Sequence, residues 1–122
     1  MEKMNIKAAV LNAPHEEFKI TDVQLNTELH PEEVLVKIVA TGLCHTDISV
    51  RDLQMPFPSP SILGHEGAGI VEKIGSAVTK VQVGDHVVLA PASCGKCTYC
   101  KDGHPSYCEQ FFPLNFGNGH RF

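Results

Sequence analysis

Four cysteines in one short stretch carry the strongest chemical signal in the sequence. Cys94, Cys97 and Cys100 are each separated by two residues, and seven more precede Cys108, so four thiols fall within fifteen residues. Gly95 and Gly103 give the backbone the freedom that so tight a wrap requires. Four thiolates at a tetrahedral centre suit Zn²⁺, and a site closed by four sulfurs is a structural one. Three alternatives compete with it. A ferredoxin run places its fourth Cys after three residues and follows it with Pro; here the gap is seven and Glu109 follows. A redox Cys-x-x-Cys pair would not need four thiols. Two disulfides would suit a secreted chain, but Met1-Glu2-Lys3-Met4 opens no apolar signal segment. Structural zinc is the leading expectation, with the others left open.

A second group is spread over two segments. One is Cys44-His45-Thr46-Asp47, the other Gly64-His65-Glu66. Singly each has a bland reading: a leftover Cys is ordinarily a small apolar residue, and a His before Glu a surface pair. Together they offer a thiolate, an imidazole and carboxylates, which are the donor types of a second metal site.

The elements that must position these groups are mostly short strands. Ile6 to Leu11 is apolar, Phe18 to Leu25 nearly alternates, and Val34 to Ala40 is rich in β-branched residues. Cys44 to Leu53 allows a short helix starting near Thr46, while Pro56, Pro58 and Pro60 forbid regular structure. Gly67 to Ile74 reads as a strand with close backbone approach at its small residues. His86 to Ala90 reads as a buried strand closed by Pro91, where the cysteine lobe of residues 91–110 begins. Many short strands broken by Gly and Pro predict a mainly β chain, a small and partly open β-barrel. The end of the chain places four Phe in twelve residues, an apolar surface that must pack on something, either the barrel or a partner surface beyond Phe122.

A chain of 122 residues fits one domain, and 43% apolar residues are enough to bury a core. A net charge of −4 without a long single-sign run argues against nucleic acid. No apolar run approaches the roughly 18 residues of a membrane span. A cytoplasmic, reducing compartment is the expectation.

Read as a set, these segments resemble the zinc-dependent alcohol dehydrogenases of the medium-chain dehydrogenase/reductase superfamily. Gly64-His65-Glu66 with Gly69, Gly75 and Val78 is similar to that family's signature, and Cys94, Cys97, Cys100 and Cys108 to its structural-zinc lobe in type and spacing. Gly42 to Asp47 is similar to its first catalytic-zinc segment, and Val83 to Val87 to its GroES-like barrel. The resemblance covers nearly the whole chain. It implies a GroES-like, partly open β-barrel carrying a structural-zinc lobe. It further implies that Cys44 and His65 are ligands of a catalytic zinc, with Glu66 behind the metal as an occasional ligand. Thr46 is then the hydroxyl that takes the alcohol proton, Asp47 the carboxylate that orients His65, and His45 a contact to the cofactor's pyrophosphate. The implied reaction is hydride transfer from an alcohol to NAD(P), giving an aldehyde or ketone. The Cys-His-Thr-Asp segment and the Phe-rich end are most similar to aryl alcohol dehydrogenases, which implies an aromatic alcohol and, for the full-length enzyme, a homo-oligomer.

The sequence departs from the family at three places. Where some members end a proton relay in a His, this chain has Ser49. No Cys after Cys108 can act as a third catalytic ligand, and no Gly-x-Gly-x-x-Gly follows a strand. Residues 1–122 are therefore expected to be the N-terminal portion of the catalytic domain, without the nucleotide-binding domain and inactive alone. The rival from another class is a stand-alone zinc module for protein interactions. It would hold one zinc per chain and leave Cys44 and His65 idle. A bare co-chaperonin-like barrel would hold none.

Overall fold

The computed structural model describes residues 2–55 and 57–116. Pro56 and the end of the Phe-rich tail, residues 117–122, lie outside the described residues. Among the described residues, six strands form two three-stranded antiparallel sheets. The first has the order β2-β1-β4, from β1 (Lys3–Leu11), β2 (Lys19–Asn26) and β4 (Ser61–Ile62). The second has the order β3-β5-β6, from β3 (Val34–Thr41), β5 (Gly67–Ile74) and β6 (His86–Val88). Helices are short: α1 (His45–Arg51), α2 (Thr98–Lys101) and α3 (Phe111–Phe116), with a 3₁₀ turn at Pro105–Tyr107.

The run Val34-Leu35-Val36, rich in β-branched residues with its continuation, makes β3, which pairs with β5 over most of its length. Gly69 explains why β5 needs small residues: a Cβ there would strike the Lys37 carbonyl and the Val36 side chain on β3. The register shifts twice along this ladder, on either side of Val36–Ile38. Val10, Leu11, Val50 and Val71 form a small buried core. Lys73 on β5 ties the sheets together, donating to the Glu2 carboxylate at 2.8 Å and the Thr27 carbonyl at 3.4 Å.

The helix expected near Thr46 forms, and the strand at Gly67–Ile74 has the expected bounds. The strand at His86 differs from the expectation of a buried one. It stops at Val88, which is 80% exposed, because β6 is the outer strand of its sheet. No helix among the described residues is long and apolar enough to cross a membrane.

Candidate metal centres and the adjoining cleft

The cysteine lobe is built on backbone amides that point at sulfur. The Lys96 and Cys97 N–H groups donate to Cys94 Sγ at 3.3 and 3.2 Å. The Cys94 and Gln110 N–H groups donate to Cys108 Sγ at 3.3 and 3.4 Å. Gly95 and Gly103 take φ of 71° and 82°, left-handed backbone that a Cβ would strain, and so let the loop close. The sulfurs of Cys94, Cys97, Cys100 and Cys108 all lie within 4.8 Å of one another. Around a tetrahedral Zn²⁺ with bonds of about 2.3 Å they would stand about 3.8 Å apart, so the cage needs little contraction. All five cysteines are free thiols, and the disulfide reading has no support in this geometry. The thiols are not equivalent. The Cys100 and Glu109 N–H groups pull Cys97 down to about 6, while burial first, then the neighbouring thiols, push Cys100 up to about 11.

The second centre follows from the β3–β5 register. Thr41 is paired with Gly67, so the end of β3 lies beside the start of β5. The Gly42 N–H extends that ladder, donating to the Glu66 carbonyl at 2.9 Å. Cys44, three residues past Thr41, therefore meets His65 and Glu66, just before Gly67. One donor atom from each of Cys44, His65 and Glu66 falls within 4.8 Å of the others. Gly42 makes the space, because a Cβ there would overlap the Glu66 carboxylate.

Asp47 joins the two halves of this centre. Cys44 caps α1, and its N–H donates to Asp47 Oδ2 at 3.2 Å, the reach-back contact of a helix start. The other oxygen, Oδ1, faces His65 Nδ1 at 3.8 Å, with the Asp47 side chain 8% exposed. That leaves His65 Nε2 as the nitrogen available to a metal. Cys44 Sγ lies 3.4 Å from Thr46 Oγ1. The thiol donates when protonated, and the hydroxyl can turn to donate once the sulfur is a thiolate. Thr46, through its hydroxyl and then its N–H, and next the His65 ring, hold Cys44 below the ordinary thiol range. A soft thiolate, an imidazole and a carboxylate form a donor set that suits Zn²⁺.

A cleft of about 450 Å³ opens beside this centre. Thr46, Asp47 and His65 line its inner side, and Phe57, Phe111 and Phe116 supply an aromatic wall. Phe57 and Phe116 meet edge to face at 6.1 Å between ring centres. His45 is exposed at the first position of α1. Ser49 is half-buried, its carbonyl accepts the Gln54 and Met55 N–H groups, and it is not in the cleft wall. Sequence reasoning passed over Phe57, Asn115 and the space-making role of Gly42. Only the Phe-rich composition hinted at the wall.

Comparison with known proteins gives a consistent picture. The family model described as the alcohol dehydrogenase GroES-like domain matches residues 30–120. A geraniol dehydrogenase of Castellaniella defragrans is 52% identical over 90 residues, 74% of this chain and 24% of that protein. An NDMA-dependent alcohol dehydrogenase of Amycolatopsis methanolica is 42% identical over 107 residues, 87% of this chain and 29% of that protein. The crystal structure of benzyl alcohol dehydrogenase from Acinetobacter calcoaceticus superposes with a TM-score of 0.90 at 50% identity, covering 96% of this chain and 32% of that one. The chain thus spans about a quarter to a third of the length of these proteins.

Proposed function

From a chain that belongs to the zinc-dependent alcohol dehydrogenases of the medium-chain superfamily, we propose that residues 1–122 are the N-terminal catalytic-domain portion of an enzyme oxidising an alcohol with NAD(P). The observation that carries this reading is the convergence of donors from Cys44, His65 and Glu66 within 4.8 Å, beside a cleft that Thr46 lines. Cys44 and His65, with Glu66, are the residues that would hold a Zn²⁺, which would supply Lewis acidity toward the substrate oxygen. The chain's own residues do the rest. Asp47 fixes the His65 ring from one side and the Cys44 backbone from the other. The Thr46 hydroxyl, which can both accept and donate, takes the alcohol proton and passes it on to water, and Ser49, outside the cleft wall, is structural. His45, exposed at the start of α1, contacts the pyrophosphate of the dinucleotide. Glu66 would serve such a metal as an occasional ligand. Cys94, Cys97, Cys100 and Cys108 hold a second, structural Zn²⁺ that keeps the lobe folded.

The Phe57, Phe111 and Phe116 wall favours a flat, aromatic alcohol. A solved relative is a benzyl alcohol dehydrogenase, which supports that choice. A cytoplasmic enzyme fits five free thiols, and a homo-oligomer is the assembly expected of the full-length protein. The test is the full-length protein: two zinc ions per chain, and NAD(P) reduction that depends on benzyl alcohol. Full metal loading without turnover of any alcohol would refute the enzyme reading.

A further inference from the structure

The aromatic wall of the cleft is carried by α3, and one carboxamide moors that helix. We propose that Asn115 is a positioning residue for substrate selectivity: its amide sets the pose of α3 and so of the Phe111 and Phe116 rings over the cleft. The selectivity part rests on the reading that the cleft receives an alcohol; the mooring itself does not.

A helix of six residues cannot hold its own conformation in water. Its backbone bonds given by the Phe111 and Leu114 N–H groups are local, to Cys108 and Gln110. Asn115 reaches outward instead. Its Oδ1 accepts the Ala92 N–H at 2.8 Å, and its Nδ2 donates to the Ala92 carbonyl at 2.9 Å. The second Nδ2 hydrogen goes to the Phe111 carbonyl at 2.8 Å. The amide therefore pairs with Ala92 as a neighbouring strand would, and both of its hydrogens are used. Its orientation is fixed, since a flipped amide would set oxygen against two carbonyls. Ala92 follows Pro91, which borders the cleft, on the segment that leads from β6 into the cysteine lobe. One side chain thus sets the spacing between that segment and the wall. A displacement of α3 carries Phe111 and Phe116 with it, and Phe116 transmits it to Phe57, whose ring centre is 6.1 Å away. A ring-bearing alcohol in the cleft would have this wall to pack on, whereas an alcohol of two carbons would offer it far less surface.

The experiment compares full-length wild type with Asn115→Ala and Asn115→Asp. The Asp variant keeps the size and the acceptor for the Ala92 N–H but loses both donors, so it serves if the Ala variant folds poorly. Amide hydrogen exchange at Ala92 and along α3 should quicken by about tenfold or more in both variants, with zinc content unchanged. The KM for benzyl alcohol should rise about tenfold more than that for ethanol, with kcat for the two alcohols moving little relative to each other. Unaltered exchange would overturn the mooring. Quickened exchange with equal losses on both alcohols, or losses that follow zinc content, would overturn the selectivity role. A wild type that oxidises neither alcohol refutes the proposed function and the selectivity role with it, while the exchange data still decide the mooring.

Discussion

Asp47 makes two contacts at once: one oxygen accepts the Cys44 N–H, the other faces His65. Removing a carboxylate that orients a ligating imidazole typically costs about 10–100-fold in metal affinity. Asp47→Ala should therefore weaken zinc at the Cys44–His65 centre by about that factor and leave the cysteine lobe loaded, as competition with a chelator would reveal. Equal affinity in both proteins would remove Asp47 from the centre. Thr46 is separable from the metal. Thr46→Val keeps the shape and removes the hydroxyl, so in the full-length enzyme it should cut kcat by about 10²–10⁴ with zinc retained, while Thr46→Ser keeps much of the activity. Near-wild-type kcat in Thr46→Val would reduce Thr46 to the start of a short helix. In the lobe, Cys97→Ser should lose the structural zinc, and metal analysis showing the same content as wild type would contradict the assignment.

At the scale of elements, the β3–β5 ladder decides whether the second centre exists, because its register brings Cys44 to His65. Gly69→Ala drives a methyl into the Lys37 carbonyl and should destabilise by about 1–3 kcal/mol as overpacking does, which thermal unfolding would measure. The Lys73 contact to Glu2 spans the two sheets, and the Lys73 ammonium, by hydrogen bond and then by charge, lowers the Glu2 carboxyl below its ordinary value of 4.5. A carboxyl lowered on folding adds stability that is present above its unfolded value and lost as pH falls through the folded one. Both groups are largely exposed, so the contribution is small. Lys73→Met should narrow the gap between stability at pH 6 and at pH 3 slightly, and a widened gap would show that the pair opposes folding.

For the molecule as a whole, residues 1–122 bring together, besides the four cysteines of the lobe, three side chains that could hold a metal ion, and carry no dinucleotide motif in their sequence. By themselves they should reduce no cofactor with benzyl alcohol, since they carry no dinucleotide motif to position the hydride acceptor. Turnover above the enzyme-free blank would contradict this. The described residues also bury few large apolar side chains, and Ile38, Val39 and Val88 stand 50%, 69% and 80% exposed on β3 and β6. An apolar fraction of 43% was enough for a core, but composition cannot tell which face of a sheet is covered.

The cysteine lobe was legible in the sequence because its ligands are local. Spacings of two, two and seven residues bind the four sulfurs to one loop, whatever the rest of the chain does. The strands at Val34 and Gly67 were legible for a similar reason, since β-branched runs and Gly boundaries act over a few residues. For the second centre the sequence determined the residue types but not their meeting. Cys44 and His65 are brought together by a pairing of Thr41 with Gly67, which no local pattern encodes. The exposure of β6 went unread because an apolar run looks the same at the middle and at the edge of a sheet. The cleft wall depended still more on tertiary structure. Phe57 comes from a Pro-rich loop and Phe116 from a helix nearly sixty residues on. Their contact, and the Asn115 amide that ties α3 to Ala92 on the segment leaving β6, join stretches far apart in the chain, which no local pattern encodes.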